Sequence, residues 1–185
     1  MPHLVAHLTD RVRIRPLVQG DAPAMLVAYL RNREHLRPWE PDRSAEFFTL
    51  AGQRAYVGHR VAEQEAGRLQ GWVLLDGDRI VGTLTLSGLV RGPFRSADLG
   101  YWVDAEYTGR GLATAAVDRV CRAAEADLGL HRIQAGVLPV NAASQSVLER
   151  SGFTRIGLAP DYLHIAGAWR DHLLYQRILH TRPLR

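Results

Sequence analysis

The sequence predicts a mixed α/β (α+β) domain, and three observations carry that prediction. First, the apolar runs "LQGWVLL" and "RIVGTLTLSG" flank Asp76-Gly77-Asp78, the residue chemistry of a tight antiparallel hairpin. Second, Leu112, Ala113, Ala116, Val117, Val120, Cys121, Ala124 and Leu128 recur on one helical stripe that ends near Gly129. Third, the apolar run "HRIQAGVL" follows that helix, so an antiparallel front half gives way to a strand-helix-strand unit.

The other elements follow in chain order. "VRIRPL" alternates as an opening strand, and "GDAPAMLVAYLRNREHL" has helical spacing with Asp21 at its cap and Pro23 in its first turn. "RPWEPDRS" breaks the pattern. Ser44 is placed to cap a second helical region through "AEFFTLAGQRAYVGHRVAEQEAG", whose glycines argue against one unbroken helix. After the hairpin, "LVRGPFRS" forms a longer loop and "ADLGYWVD" a strand. "NAASQSVLERSG" is a short helix from Asn141 to Gly152, and "WRDHLLYQRIL" is the final strand. No repeat or linker divides the 185 residues, which predicts a single domain over 1–185.

Composition excludes several chemistries. With 46% apolar and 23% charged residues, the chain has ordinary globular composition. Its start, "MPHLVAHLTDRVRIR", sustains no apolar signal core and no run approaches 18 apolar residues, so a cytoplasmic protein without membrane association is expected. All 23 basic residues are arginine, which rules out a lysine nucleophile, a Schiff base and a phosphate-loop lysine. The single cysteine, Cys121, lies on the apolar stripe and is expected to be buried rather than reactive. A net charge of +4 favours acidic ligands, yet the arginines are scattered, so direct nucleic-acid binding is not expected. His3 and His7 have helical metal-ligand spacing but lack the glutamate of H-E-x-x-H, and no G-x-S-x-G elbow is present. Neither a metal nor a covalent acyl-enzyme is expected.

The most informative stretch is "DAEYTGRGLAT", a glycine turn feeding the long helix. A helix start presents unpaired N–H groups, and glycines let a ligand approach the backbone closely, so the natural guest is an anion. A Walker loop needs lysine, and a G-x-G-x-x-G fingerprint needs a glycine where this chain has Thr114.

"GYWVDAEYTGRGLATAA", "HRIQAGVLPVNAASQSVLERSGF" and the ending "WRDHLLY", in that order and spacing, resemble the GNAT acetyltransferase superfamily, and within it the ribosomal-protein N-terminal alanine acetyltransferases. The resemblance covers nearly the whole chain. It implies a GNAT-type fold, a mixed central sheet of about six to seven strands flanked by helices and splayed in the middle to hold CoA. It also implies acetyl-CoA as donor substrate. In the family, the pattern Q/R-x-x-G-x-G/A before the long helix receives the pyrophosphate; Thr108-Gly109-Arg110-Gly111-Leu112-Ala113 keeps the glycine and the final small residue but has threonine first. The implied donor-binding set is Trp102, Val103, Gly109, Arg110, Gly111, Leu112, Ala113, Thr114, Asn141 and Ser144, with Trp102 and Val103 offering main-chain groups to the pantetheine arm. Arg110 alternatively faces solvent from its loop.

The resemblance also assigns chemistry. Asp98 stands where such enzymes have a carboxylate, typically glutamate, that takes the amine proton directly or through water; the alternative is that it pairs with an arginine. Ser144 is expected near the sulfur, where its hydroxyl stabilises or protonates the departing thiolate, and Asn141 contacts the pantetheine arm, although both residue types are also ordinary at a helix start. "LRPWEPD" and "VRGPFRS" are expected to rim the acceptor site, with Trp39 the favoured substrate-binding residue ahead of Tyr162 and Trp169; Trp39 anchoring its loop on the core is the alternative. The implied activity is direct acetyl transfer to a primary amine, foremost a protein N-terminal α-amine such as that of a ribosomal protein. The alternatives are acetylation of a small amine, an antibiotic or polyamine, and a non-catalytic acyl-CoA-binding regulator. A homodimer is one possible assembly.

Overall fold

The computed structural model describes residues 4–183. Eight strands form one sheet: β1 (Ala6–His7), β2 (Val12–Pro16), β3 (Gln70–Asp76), β4 (Arg79–Val90), β5 (Ser96–Val103), β6 (Arg132–Val137), β7 (Thr154–Ile165) and β8 (Ala168–Ile178). Their order across the sheet is β1-β2-β3-β4-β5-β6-β8-β7. The helices are α1 (Ala22–Arg31), α2 (Arg33–Leu36), α3 (Leu50–Glu65), α4 (Leu112–Ala126) and α5 (Ala142–Arg150). His3, one half of the histidine pair noted above, lies outside the described residues. Among the described residues no helix is long and apolar enough to cross a membrane.

Alternation along the strands divides the core between the two faces of the sheet. Val12, Ile14, Trp72 and Leu74 join the α4 stripe on one face, with Leu148 of α5 and Phe153. Val73, Leu75, Ile80 and Trp102 join Met25, Ala28 and Tyr29 of α1 and Val57 of α3 on the other. Six of the seven residues of β3 are fully buried, as a strand covered on both faces must be. The hairpin through Asp76-Gly77-Asp78 forms as expected, with Asp76 opposite Arg79.

Three local expectations are corrected. The first helix breaks at Asn32, because the Asn32 amide donates to Ala28 O and to the Asp104 carboxylate while its carbonyl accepts from Ala105 N–H. Ser44 precedes a 3₁₀ turn (Ala45–Phe48) without a side-chain cap bond, and Thr49 caps α3, its Oγ1 accepting from Gly52 N–H at 3.1 Å. The sheet also gains β1 and β7, giving eight strands rather than six or seven. β7 is nearly all exposed and carries Pro160, which an edge strand tolerates, and its pairing with β8 slips between Ala159 and Leu163.

The feature that creates a site is the centre of the sheet. β5 and β6 run parallel but pair only at Ser96–Arg132, Ala97–Ile133 and Asp98–Gln134. Beyond those pairs β5 stays with β4 to Val103 and β6 stays with β8 to Val137, so the two strands part.

Candidate active site

Two cavities meet where the strands part. One, of about 590 Å³, runs from the glycine turn at the start of α4, along Tyr101–Val103, to the first turn of α5. The other, of about 450 Å³, opens on the α1 and α3 face over Thr83, Thr85, Gly100, Trp102 and Gly136. Trp39, Glu40, Tyr101, Trp102, Asn141 and Ser144 line both.

The first cavity has the features a nucleotide diphosphate needs. Gly111, in the left-handed region at φ +74°, is the N-cap of α4, and Gly109 has φ +71°. A Cβ at either position would meet nothing within 4 Å, so the glycines leave open space in front of the helix start rather than fill a packing constraint. Leu112, Ala113 and Thr114 line the same cavity, and their N–H groups belong to the first turn, where no intrahelical acceptor exists. The partial positive charge of the helix start adds about 0.3–1 kcal/mol for an anion there. Arg110 is absent from the lining; its guanidinium lies 5.6 Å from the Tyr107 ring centroid, on the exposed side of the turn.

The register of β4 on β5 decides which main-chain groups face the gap. Asp104 N–H bonds Val81 O at 2.9 Å, so Gly82 and Val103 face each other as a non-hydrogen-bonded pair and the adjoining Thr83 and Trp102 exchange both ladder bonds. The Trp102 main chain is therefore engaged by β4, while those of Tyr101 and Val103 point into the gap. His35 Nε2 bonds the Val103 carbonyl at 3.2 Å from that side. The Trp102 side chain is buried among aromatic neighbours, its Nε1–H donating to Tyr29 Oη at 3.3 Å.

Asn141 and Ser144 come together as the α5 cap, Ser144 N–H donating to Asn141 Oδ1 at 3.0 Å. Capping and cavity lining coexist: both side chains border both cavities. The Ser144 hydroxyl lies 2.8 Å from Tyr101 Oη, a pairing across 43 residues of sequence. Burial pushes the Tyr101 phenol up to about 12, with the Ser144 hydrogen bond opposing, so it stays protonated at neutral pH. Sequence reasoning missed Tyr101; its signal was the alternation of "LGYWV", which sets it on the opposite face from Trp102.

Asp98 sits at the closed end of the splay. Its Oδ1 accepts from Gln134 Nε2 at 2.5 Å, and it lines neither cavity. The loop "VRGPFRS" is at that end as well, with Arg91 bonding Leu128 O and Arg132 stacked on Phe94, so it does not rim the acceptor side. "LRPWEPD" does: Trp39, 37% exposed, and Glu40 border both cavities. Trp169 lies outside both, and Tyr162 packs its ring 5.3 Å from His172, which lines the acceptor side. Cys121 is buried in the core, its thiol pushed up to about 11 by burial. Among the described residues no group of three or more His, Cys, Asp or Glu is arranged to hold a metal.

Comparison with known proteins agrees with this architecture. The chain is 36% identical over 168 residues to the [ribosomal protein uS5]-alanine N-acetyltransferase of Escherichia coli, covering 90% of this chain and 87% of that one. It is 35% identical over 164 residues to the "Probable N-acetyltransferase YjcK" of Bacillus subtilis, covering 87% and 90%. The structure of the ribosomal-protein-S5-alanine acetyltransferase of Vibrio fischeri superposes with a TM-score of 0.90 at 34% identity, over 95% of this chain and 96% of that one. Mycobacterium smegmatis RimJ in complex with CoA-disulfide superposes at 0.86 with 36% identity, over 90% and 81%. The family described as "Acetyltransferase (GNAT) domain" matches residues 11–154. On these grounds the chain belongs to the GNAT acetyltransferase family and is an acetyl-CoA-dependent acetyltransferase.

Proposed function

We propose that the acceptor is the α-amine of a protein N-terminus, with a ribosomal protein as the acceptor class. The observation that carries this reading is the meeting of the two cavities at Ser144 and Tyr101: a donor entering from the glycine turn and a chain end entering from the α1–α3 face would have their reactive groups at one point. The relatives from E. coli and V. fischeri are named for acetylating alanine of a ribosomal protein, which supports the same choice. Chemistry favours it as well. An α-amine with pKa near 7.8 is about 14% neutral at pH 7, whereas a lysine amine near 10.4 is about 0.04% neutral.

In this reading the amides opening α4, with Gly109 and Gly111 leaving room, hold the diphosphate. The main-chain groups of Tyr101 and the remaining lone pair of the Val103 carbonyl hold the pantetheine arm as an added strand would. The Tyr101 and Ser144 hydroxyls lie 2.8 Å apart; with Tyr101 as the donor of that pair, the serine proton is free for the departing sulfur and the hydroxyl pair is the acid. Trp39 forms the wall between thioester and acceptor.

The test is release of CoA thiol with a peptide beginning in alanine, compared with the same peptide N-terminally blocked but carrying a lysine, and with spermidine. Turnover on the free α-amine alone supports the proposal. Turnover on spermidine alone, or tight acetyl-CoA binding with no turnover on any of the three, replaces it with the small-amine or regulator reading.

A further inference from the structure

A carboxylate outside the expected set occupies the junction of the two cavities. Glu40, in the segment after α2, lines the donor cavity, the acceptor cavity and a third of about 210 Å³ beside them. It is the one acidic residue among the described residues that line the first two. Its side chain is 20% exposed and its backbone is fixed by Glu40 N–H on Leu36 O at 3.1 Å, so the carboxylate is held rather than swept through solvent.

We propose that Glu40, rather than Asp98, is the base that receives the proton of the acceptor amine. This rests on the reading of the chain as an amine acetyltransferase. A carboxylate that takes the proton directly must reach the amine nitrogen when that nitrogen is beside the thioester, and a residue that borders both cavities is placed to do so. Asp98 borders neither and spends Oδ1 on Gln134. Among the described residues Glu40 has one ion-pair partner, Arg43 at 3.4 Å, too long for a strong charge-assisted bond, which leaves carboxylate lone pairs for an incoming ammonium.

The surroundings suit that task. Burial raises the Glu40 carboxyl above its ordinary range, opposed by Arg43 and Arg60. The ionisable groups that line the three cavities with it are Tyr29 of α1, Arg33 and His35 of α2, Arg37, Asp42 and Arg43 after α2, Tyr56 and Arg60 of α3, Tyr101 of β5, Tyr107, Arg150 of α5 and His172 of β8. An approaching ammonium adds a positive charge beside the carboxylate, and the transfer neutralises both.

The steps balance. The ammonium gives one proton to Glu40, and the freed lone pair forms the N–C bond to the thioester carbonyl carbon. The C–S bond breaks with its electron pair on sulfur, which takes a proton from Ser144, replenished through Tyr101. The hydroxyl pair recovers its proton from the amide nitrogen, and Glu40 releases its proton to solvent. The net change is ammonium plus acetyl-CoA to N-acetyl amide, free CoA thiol and one proton.

Glu40→Gln keeps shape and removes the base. Against an N-terminal alanine peptide, kcat/KM is expected to fall 10²- to 10⁴-fold while acetyl-CoA Kd stays within threefold of wild type. The wild-type profile should level off above the Glu40 pKa, whereas the residual rate of the variant should keep rising until the amine itself is deprotonated; replacing a purely structural glutamate would lower the rate without changing the shape of the wild-type profile. Wild-type kcat/KM and pH profile in Glu40→Gln, or the large loss appearing in Asp98→Asn instead, overturns the assignment. Titration of the Glu40 carboxyl by ¹³C NMR in the free enzyme needs no acceptor and judges the residue even if the peptide is the wrong substrate. A pKa above the ordinary glutamate value near 4.3 is expected, and one at or below it contradicts the proposal.

Discussion

Gly111→Ala separates a glycine required by a ligand from one required by the fold. The position has φ +74° and ψ 0°, and an L-residue in that region costs about 1–2 kcal/mol. No packing term is added, because the new Cβ meets no atom within 4 Å. For a chain of this size, 1 kcal/mol lowers Tm by about 2–4 °C, so a drop of about 2–8 °C is expected. Donor binding should suffer more. Displacing the diphosphate from two charge-assisted amide bonds, worth about 1.5–3 kcal/mol each, corresponds to a Kd increase of at least about 100-fold. Gly67→Ala is the matched control: φ is +71°, its Cβ also meets nothing within 4 Å, and it lines neither cavity. It should lose similar Tm with unchanged Kd by calorimetric titration with acetyl-CoA. Near-wild-type affinity in Gly111→Ala, or equal affinity loss in both variants, would refute the diphosphate assignment.

Three further outcomes follow from the same geometry. Burial alone would raise the Asp104 carboxyl, but hydrogen bonds from Asn32, Glu106 N–H, Arg31 and Arg79 outweigh it and hold the group at about 2. Because the folded value is depressed below 3.8, this carboxylate contributes about 2 kcal/mol that is fully present above pH 4 and is lost as pH falls through about 2; Asp104→Asn should flatten that part of a stability-versus-pH curve. Ser144→Ala and Tyr101→Phe should each lower kcat, by about 10- to 100-fold, and the double variant should lose little more than the worse single one, as expected of one proton path; fully multiplicative losses would break the pair. Cys121 should resist an aromatic disulfide reagent at pH 8 until the protein is denatured, and rapid reaction in the native state would contradict its burial and raised pKa.

Local signals were legible where one element decides its own structure. The Asp76-Gly77 turn and the α4 stripe needed no tertiary information, and six of the eight stripe residues are buried, with Ala113 and Leu128 partly so. Features that depend on distant partners were not legible. Asn32 breaks a helix for the sake of Asp104, 72 positions away. β7 has neither alternation nor burial to announce it and exists through its ladder with β8. In the site, the glycine turn, Asn141, Ser144 and Trp39 were readable from motif and resemblance, and the structure brings them to one place. Trp102 required the β4–β5 register, since a shift of one residue reverses which main-chain groups face the gap. Glu40 sits in an irregular "WEP" segment, where nothing local distinguishes a surface glutamate from one enclosed by α1, α3 and β5.

Donor binding between the parted strands places the diphosphate on the opening of α4. A crystal structure with acetyl-CoA tests it most directly. Phosphate oxygens should lie within hydrogen-bond distance of the amides between Gly109 and Thr114, the pantetheine amides on Tyr101 and Val103, and the sulfur beside Ser144 Oγ with the acetyl group facing Glu40. A diphosphate seated elsewhere, or a thioester remote from the Ser144–Tyr101 pair, would contradict it.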